Sequence, residues 1–124
     1  MGRLIIDGMN VIGSRPDGWW RDRDAAVRRL LGQLQRLAAA SPQSVTLVLD
    51  GRPLPDLAEG DHGGVTVRYA ERGHSADDRI VAMVAADPDP ASLEVVTADR
   101  GLRERVGECG AGVSGPGGLL ARLR

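Results

Sequence analysis

Short apolar runs rich in β-branched residues, several of them followed directly by an aspartate, constrain this chain more than any other feature. Leu4–Ile6, Val45–Leu49, Val65–Tyr69 and Leu93–Thr97 read as strands, with a weaker fifth at Ala111–Ser114. The run Val45-Thr46-Leu47-Val48-Leu49 is nearly continuous rather than alternating, as in a strand covered on both faces, and so implies a parallel sheet.

Helical spacing fills most of the gaps. Val27, Leu30, Leu31, Leu34, Leu37 and Ala38 recur at three- and four-residue steps, while Arg28, Arg29, Gln33 and Arg36 fall elsewhere on the wheel. A second helix is expected from Ser75 to Ala86, a short third from Arg100 to Val106, and a last from Pro116 to Leu123 with the proline in its first turn. The segment between Asp50 and Val65 reads as an irregular polar loop. Strands separated by helices predict a three-layer, Rossmann-like α/β domain, doubly wound with right-handed crossovers around a mostly parallel central sheet of about five strands. With 124 residues and no linker or repeat, residues 1–124 are expected to form a single domain.

Absences narrow the chemistry. All 16 basic residues are Arg and none is Lys, which removes a Walker-type phosphate lysine, a Schiff base and a pyridoxal site. One Cys and two His cannot supply the four soft ligands of a structural zinc site, nor one Cys a disulfide. A reducing compartment fits this composition. The amino-terminal segment offers only Leu4-Ile5-Ile6 before Asp7, too little for a signal peptide or a membrane span. The expectation is a soluble, cytoplasmic protein with no membrane partner.

Ligands of open parallel sheets bind at the carboxyl ends of the strands. Asp7 ends the first strand, Asp50 the second, Asp77 and Asp78 open the helix after the third, and Asp99 follows the fourth, so all are expected on one rim. Two ionised carboxylates ~5 Å apart at an effective dielectric of ~20 repel by about 3 kcal/mol, a cost that a cation removes. Oxygen ligands without His or Cys among them select Mg²⁺ or Mn²⁺ over zinc.

Each acid also has a plainer explanation. Asp50 before Gly51 can start a turn, as can Asp7 before Gly8, and Asp99 can cap the helix that begins at Arg100. Ser75-Ala76-Asp77-Asp78 matches a capping box, with Asp78 as the partner of Ser75. On the wheel, Asp77 leans toward the face defined by Ile80, Met83 and Val84, and Asp78 leans away. Asp77 is therefore assigned to the site and Asp78 mainly to the cap, with Asp50 and Asp78 as secondary ligands.

Four blocks in order, Asp7-Gly8-Met9-Asn10-Val11-Ile12, Leu49-Asp50-Gly51, Gly73-His74-Ser75-Ala76-Asp77-Asp78-Arg79-Ile80 and Val96-Thr97-Ala98-Asp99-Arg100, resemble the NYN family. Within it they resemble the YacP-like branch of the PIN-like nucleases. Met9 stands where the family pattern commonly has Tyr. The resemblance implies a metal-dependent RNA endonuclease, with Asp7, Asp77 and Asp99 as the metal-binding acids and Asn10 orienting the first of them. It also makes a ribosome- or translation-linked substrate an option.

The stretch from Ser14 to Arg23 leaves the Asp7 edge with Arg15, Arg21, Arg23 and the adjacent Trp19 and Trp20. It can stack a base and hold phosphates, or the two rings can simply pack the loop over the sheet. Arg72, Arg100 and Arg103 can add phosphate contacts or be ordinary surface charges. His74 and Cys109 read as incidental and structural.

The expected activity is hydrolysis of RNA phosphodiester bonds with Mg²⁺ or Mn²⁺ held by Asp7, Asp77 and Asp99, and with substrate contacts from Asn10, Arg15, Arg21, Arg23 and Arg100. A net charge of −1 argues against strong autonomous RNA binding and for delivery by a partner such as the ribosome. The rivals are a toxin-type PIN ribonuclease, a non-catalytic RNA-binding module and a metal-dependent phosphatase.

Overall fold

All five apolar runs expected to be strands are strands, joined in one sheet. The structure is a computed structural model that describes residues 2–124, and Met1 lies outside the described residues. The strands are β1 (Arg3–Asp7), β2 (Ser44–Leu49), β3 (Gly60–His62), β4 (Val65–Tyr69), β5 (Leu93–Val96) and β6 (Gly112–Ser114), in the spatial order β3-β4-β2-β1-β5-β6. Only β3 is antiparallel to its neighbour. β1 is central, with Ile6 opposite Leu47 on one side and Val96 on the other, so the carboxyl ends of β1, β2 and β5 share one edge.

The helices are α1 (Gly8–Gly13), α2 (Arg23–Ala40), α3 (Ala76–Ala86), α4 (Arg100–Glu108) and α5 (Pro116–Arg122). Single 3-10 turns lie at Trp19–Arg21 and Pro90–Ser92.

Side-chain alternation along the buried strands divides the apolar residues into two cores. Leu4, Ile6, Leu47, Val67 and Val96 share one core with Val11 and Ile12 of α1, Val27, Leu30 and Leu34 of α2, and Leu119 of α5. Ile5, Val48 and Val95 share the other with Ile80 and Val84 of α3 and Leu102 and Val106 of α4. Leu30 and Leu34 are fully buried, which stabilises the α2 contact by roughly 1.5–3 kcal/mol each. At the edge away from the aspartates, Arg3 forks onto Asp87 at 2.7 and 2.8 Å, tying the start of β1 to the end of α3.

Two elements differ from expectation. The sheet has six strands rather than about five, because the segment expected to be irregular contains β3. This strand is only Gly60-Asp61-His62 and carries no apolar signal. Its pairing is made by the turn at Gly63 and Gly64, both with positive φ, and by Gln35 of α2 donating to the His62 carbonyl at 3.0 Å. The second difference is α1, six residues with a glycine at each end, too short and too Gly-rich to announce itself by periodicity.

Candidate active site

β1 passes into α1 without a loop, so Asp7 is both the last strand residue and the residue preceding the helix. Gly8 makes this junction possible. A Cβ there would stand 2.7 Å from Leu49 Cδ2 and 2.9 Å from the Val48 carbonyl oxygen, so only glycine lets α1 begin against β2. Asp7 is consequently 5% exposed, and the Thr97 hydroxyl donates to its Oδ2 at 2.9 Å. Burial pushes its carboxyl up from the ordinary 3.8 to about 6, and the charges of Asp77 and Asp50 add to the rise. The Thr97 hydroxyl and the Asn10 backbone amide act in the opposite direction.

Thr97 also joins two acids. Its Oγ1 accepts the Asp99 backbone N–H at 3.1 Å while its hydroxyl proton goes to Asp7. Asp99 Oδ1 accepts the Leu102 N–H at 2.8 Å, so Asp99 does cap α4, and it does so at the rim. The Asn10 side chain accepts the Ala98 N–H at 2.8 Å. Asn10 thus fixes the loop that bears Asp99, and reaches Asp7 only through its backbone amide.

On the other side of β1, Asp50 Oδ1 accepts the Ala76 N–H at 2.6 Å, holding the start of α3 against the end of β2. The capping box at Ser75 is present: Asp78 N–H donates to Ser75 Oγ at 3.3 Å, and the Ser75 N–H to Asp78 Oδ2 at 3.5 Å. Asp78 also takes a contact from Arg105 at 3.3 Å, and the cap and this guanidinium hold its carboxyl below the usual range. The Asp77 side chain makes no hydrogen bond among the described residues. Its carboxyl is raised, first by burial and then by the charges of Asp99 and Asp50, with Arg105 opposing.

Asp7 therefore feels the charges of Asp77 and Asp50, and Asp77 those of Asp99 and Asp50, although three of these acids end or follow different strands and Asp77 stands on α3. Asp50 and Asp99 each have one oxygen engaged by a backbone amide and one without a hydrogen bond, while Asp77 has both oxygens free among the described residues. Hard carboxylate oxygens suit Mg²⁺ or Mn²⁺. Among the described residues, no three His, Cys, Asp or Glu side chains already stand as a ready-made metal cluster. The set fits such an ion by donor type and by its unrelieved repulsion, not by a preformed cage.

The arginines expected to meet substrate have different situations. Arg23 donates to the Asp50 carbonyl at 2.9 Å and contacts Met9 Sδ at 3.3 Å, so it braces the rim. Arg15 reaches Gln33 at 2.8 Å. Arg21 lies 5.9 Å from the Trp20 ring centroid, and Arg100 is exposed with no hydrogen bond among the described residues. The two indoles meet edge to face, but Trp19 packs on the α1/α2 core while Trp20 is 62% exposed. The packing reading is met by Trp19, and Trp20 is left exposed. Thr97 was not singled out by the sequence; a hydroxyl two residues before a post-strand Asp was the available sign.

Comparison with known proteins places these observations in a family. No curated protein matches the chain significantly. Two solved structures of Rae1 (YacP) from Bacillus subtilis share the fold. A single-residue variant superposes with a TM-score of 0.83 at 21% identity, covering 99% of this chain and 75% of that one. A second Rae1 structure superposes with a TM-score of 0.77 at 23% identity, covering 99% and 74%. Among the described residues no helix is long and apolar enough to cross a membrane. The sequence pattern of the YacP-like NYN domain matches residues 4–124, and the chain belongs to that family, a branch of the PIN-like nucleases.

Proposed function

We propose that residues 1–124 act as one metal-dependent endoribonuclease domain, with Asp7, Asp77 and Asp99 as the principal ligands of Mg²⁺ or Mn²⁺ and Asp50 and Asp78 as secondary ones. The observation that carries this reading is the gathering of Asp7, Asp50 and Asp77 within reach of one another's charge, which adds to the larger effect of burial in lifting Asp7 to about 6. A folded protein retains such a cluster at a cost to its own stability, as expected where a bound cation offsets it. When bound, the ion supplies a polarised water and neutralises charge on the phosphodiester. The residues of the chain do the rest. Thr97 and Asn10 keep Asp7 and Asp99 in register, Asp50 anchors the helix that presents Asp77, and Arg21 and Arg100 offer guanidinium groups to phosphates. Arg15 and Arg23, already tied to Gln33 and to the Asp50 carbonyl, shape the approach. RNA is the proposed substrate, delivered in the cytoplasm by the ribosome or another partner, since a net charge of −1 gives little general attraction for polyanions.

The engagement of Asp50, Asp78 and Asp99 with backbone amides, a structural task for each, favours a second reading, a non-catalytic RNA-binding module. One experiment separates them: wild type and Asp7→Asn are incubated with structured and unstructured RNA in Mg²⁺, Mn²⁺ or chelator. The nuclease reading expects cleavage by wild type only, and only with metal. RNA binding without cleavage under any metal condition supports the module.

A further inference from the structure

Beside the acids, a cleft of about 680 Å³ lies just beyond the paired ends of β2 and β4. Gly51, Arg52 and Pro53 line one wall, and Arg72, Gly73 and His74 the other. The cleft is not the acid site, since none of the four rim aspartates lines it, but it abuts that site on both walls. Gly51 follows Asp50 directly, and His74 lies two residues before Ala76, whose N–H Asp50 holds. Gly51 and Gly73 both have positive φ, +85° and +83°, conformations in which L side chains are strained. At Gly73 an added Cβ would meet nothing within 4 Å, so this glycine serves the turn that turns the wall outward, not a packing contact.

Like Arg100, the two arginines of this cleft are uncommitted, whereas four others near the rim are tied to protein groups. Arg23, Arg79, Arg103 and Arg105 are all engaged, with the Asp50 carbonyl, Glu59, the Thr97 carbonyl and Asp78 respectively. Arg52 and Arg72 are exposed and make no hydrogen bond or ion pair among the described residues, and Glu71 is the one carboxylate in the lining. A polyanion approaching the aspartates is repelled by them, and the chain as a whole carries no net positive charge to compensate. Two uncommitted guanidiniums immediately next to the acids are where that deficit is met locally. The cleft is open to solvent along its exposed lining, and its volume, within the ~300–1,000 Å³ common for ligand sites, has room for a nucleotide or two of single strand.

We propose that this cleft binds the phosphodiester backbone of single-stranded RNA on the β4 side of the acid site, with Arg52 and Arg72 each holding a phosphate. The proposal rests on the reading of the rim as an RNA-cleaving site and gives the strand its path: through the cleft, over Asp50 and Asp77, toward Arg100.

The test measures binding and cleavage separately. Binding of a short fluorescent single-stranded RNA is followed by anisotropy in chelator across a salt series, for wild type, Arg52→Ala/Arg72→Ala, and the charge-matched Arg36→Ala/Arg124→Ala. Each single-strand phosphate contact contributes ~0.7 to the slope of log affinity on log salt, so the cleft variant should lose about 1.4 and bind at least about tenfold more weakly at low salt. Arg36 and Arg124, outside the cleft, should change the slope far less. Arg52→Lys/Arg72→Lys should restore the slope, which shows that any loss is of charge and not of fold. An unchanged slope in Arg52→Ala/Arg72→Ala, or a polyaspartate peptide binding wild type as tightly as the RNA, overturns the proposal. Cleavage by wild type with an unchanged slope would sink the cleft and leave the nuclease reading standing. An arginine-dependent slope without cleavage in any metal would do the reverse.

Discussion

The Thr97 hydroxyl and the Asp7 carboxylate are hydrogen-bonded at 2.9 Å, with Thr97 fully buried and Asp7 5% exposed, and the same hydroxyl oxygen accepts the Asp99 N–H. One side chain therefore sets the spacing of two acids that lie 92 residues apart in sequence and supplies a donor to the more buried of them. Thr97→Val keeps the shape and removes the donor. The Asp7 carboxyl should rise further, and the pH at which RNA cleavage reaches half its maximum should rise with it. At neutral pH the variant should be less stable by on the order of 1–3 kcal/mol, the cost of an unpaired buried polar group. Thr97→Ser, which retains the hydroxyl, should restore the pH profile. A purely structural threonine would leave that profile where it was, whatever its effect on melting.

Metal-free stability should fall as pH rises through the range where Asp7 titrates. With the folded-state value raised from 3.8 to about 6, the folded protein keeps a proton that the unfolded chain has already lost. This stabilising contribution is full below about 3.8 and gone above about 6, and Asp77, also raised, acts in the same sense. For Asp7 the difference is on the order of 2–3 kcal/mol. Asp87 acts oppositely. Arg3 holds it at about 2, so its contribution is lost only as pH falls from 3.8 toward 2. Thermal melts in chelator should therefore show the highest melting temperature on the mildly acidic side and a decline toward neutrality. Asp7→Asn should flatten that decline, and millimolar Mg²⁺ or Mn²⁺ should reverse it in wild type by binding the folded state alone. A wild-type melting temperature that climbs steadily from pH 5 to 7.5 in chelator would contradict the raised carboxyls.

The sheet was legible because burial on both faces demands uninterrupted Val, Ile and Leu, and those runs survive in the sequence at Leu4, Val45, Val65 and Leu93. The helix α3 was legible for a local reason, the Ser75–Asp78 box being encoded within four residues. β3 and α1 were not, since each is held by contacts made elsewhere: Gln35 on His62, and the space that Gly8 leaves beside Leu47 and Leu49. The same distinction runs through the rim. That the aspartates follow strands can be read from the chain, but that Asp50 reaches across to Ala76 and Thr97 across to Asp7 depends on strand order, which periodicity does not encode.

Adjacent carboxylates at the start of α3 should fail in different assays. Asp78 is committed to the Ser75 amide, Arg105 and the helix terminus, whereas the Asp77 side chain has no hydrogen bond among the described residues and is raised first by burial and then by Asp99 and Asp50. Asp77→Asn should reduce Mn²⁺ affinity, read by calorimetry, and RNA cleavage by tenfold or more on the scale where ~1.4 kcal/mol is one decade. Its metal-free melting temperature should hold or increase, because a repelling charge is gone. Asp78→Asn should lower the melting temperature through the weakened cap and helix-dipole interaction while most cleavage persists. Loss of cleavage in Asp78→Asn with normal cleavage in Asp77→Asn would reverse the assignment.

The 3-10 turn at Trp19–Arg21 divides its residues between structure and solvent, and the division can be read by fluorescence. Trp19 packs on the core and should respond to unfolding but not to RNA. Trp20, 62% exposed and 5.9 Å from the Arg21 guanidinium, presents a ring face to solvent. If that face stacks a base, single-stranded RNA should quench intrinsic fluorescence in wild type and in Trp19→Phe, but not in Trp20→Phe. Trp20→Ala should weaken binding by the ~1–3 kcal/mol typical of one base on one aromatic ring. Arg21→Ala should weaken binding and lower its salt dependence without a change in melting temperature. Arg23→Ala should instead lower the melting temperature, since its guanidinium links α2 to the Asp50 carbonyl and to Met9. Quenching that persists in Trp20→Phe and vanishes in Trp19→Phe would mean that RNA approaches from the core side of this turn, against the exposure of the two rings.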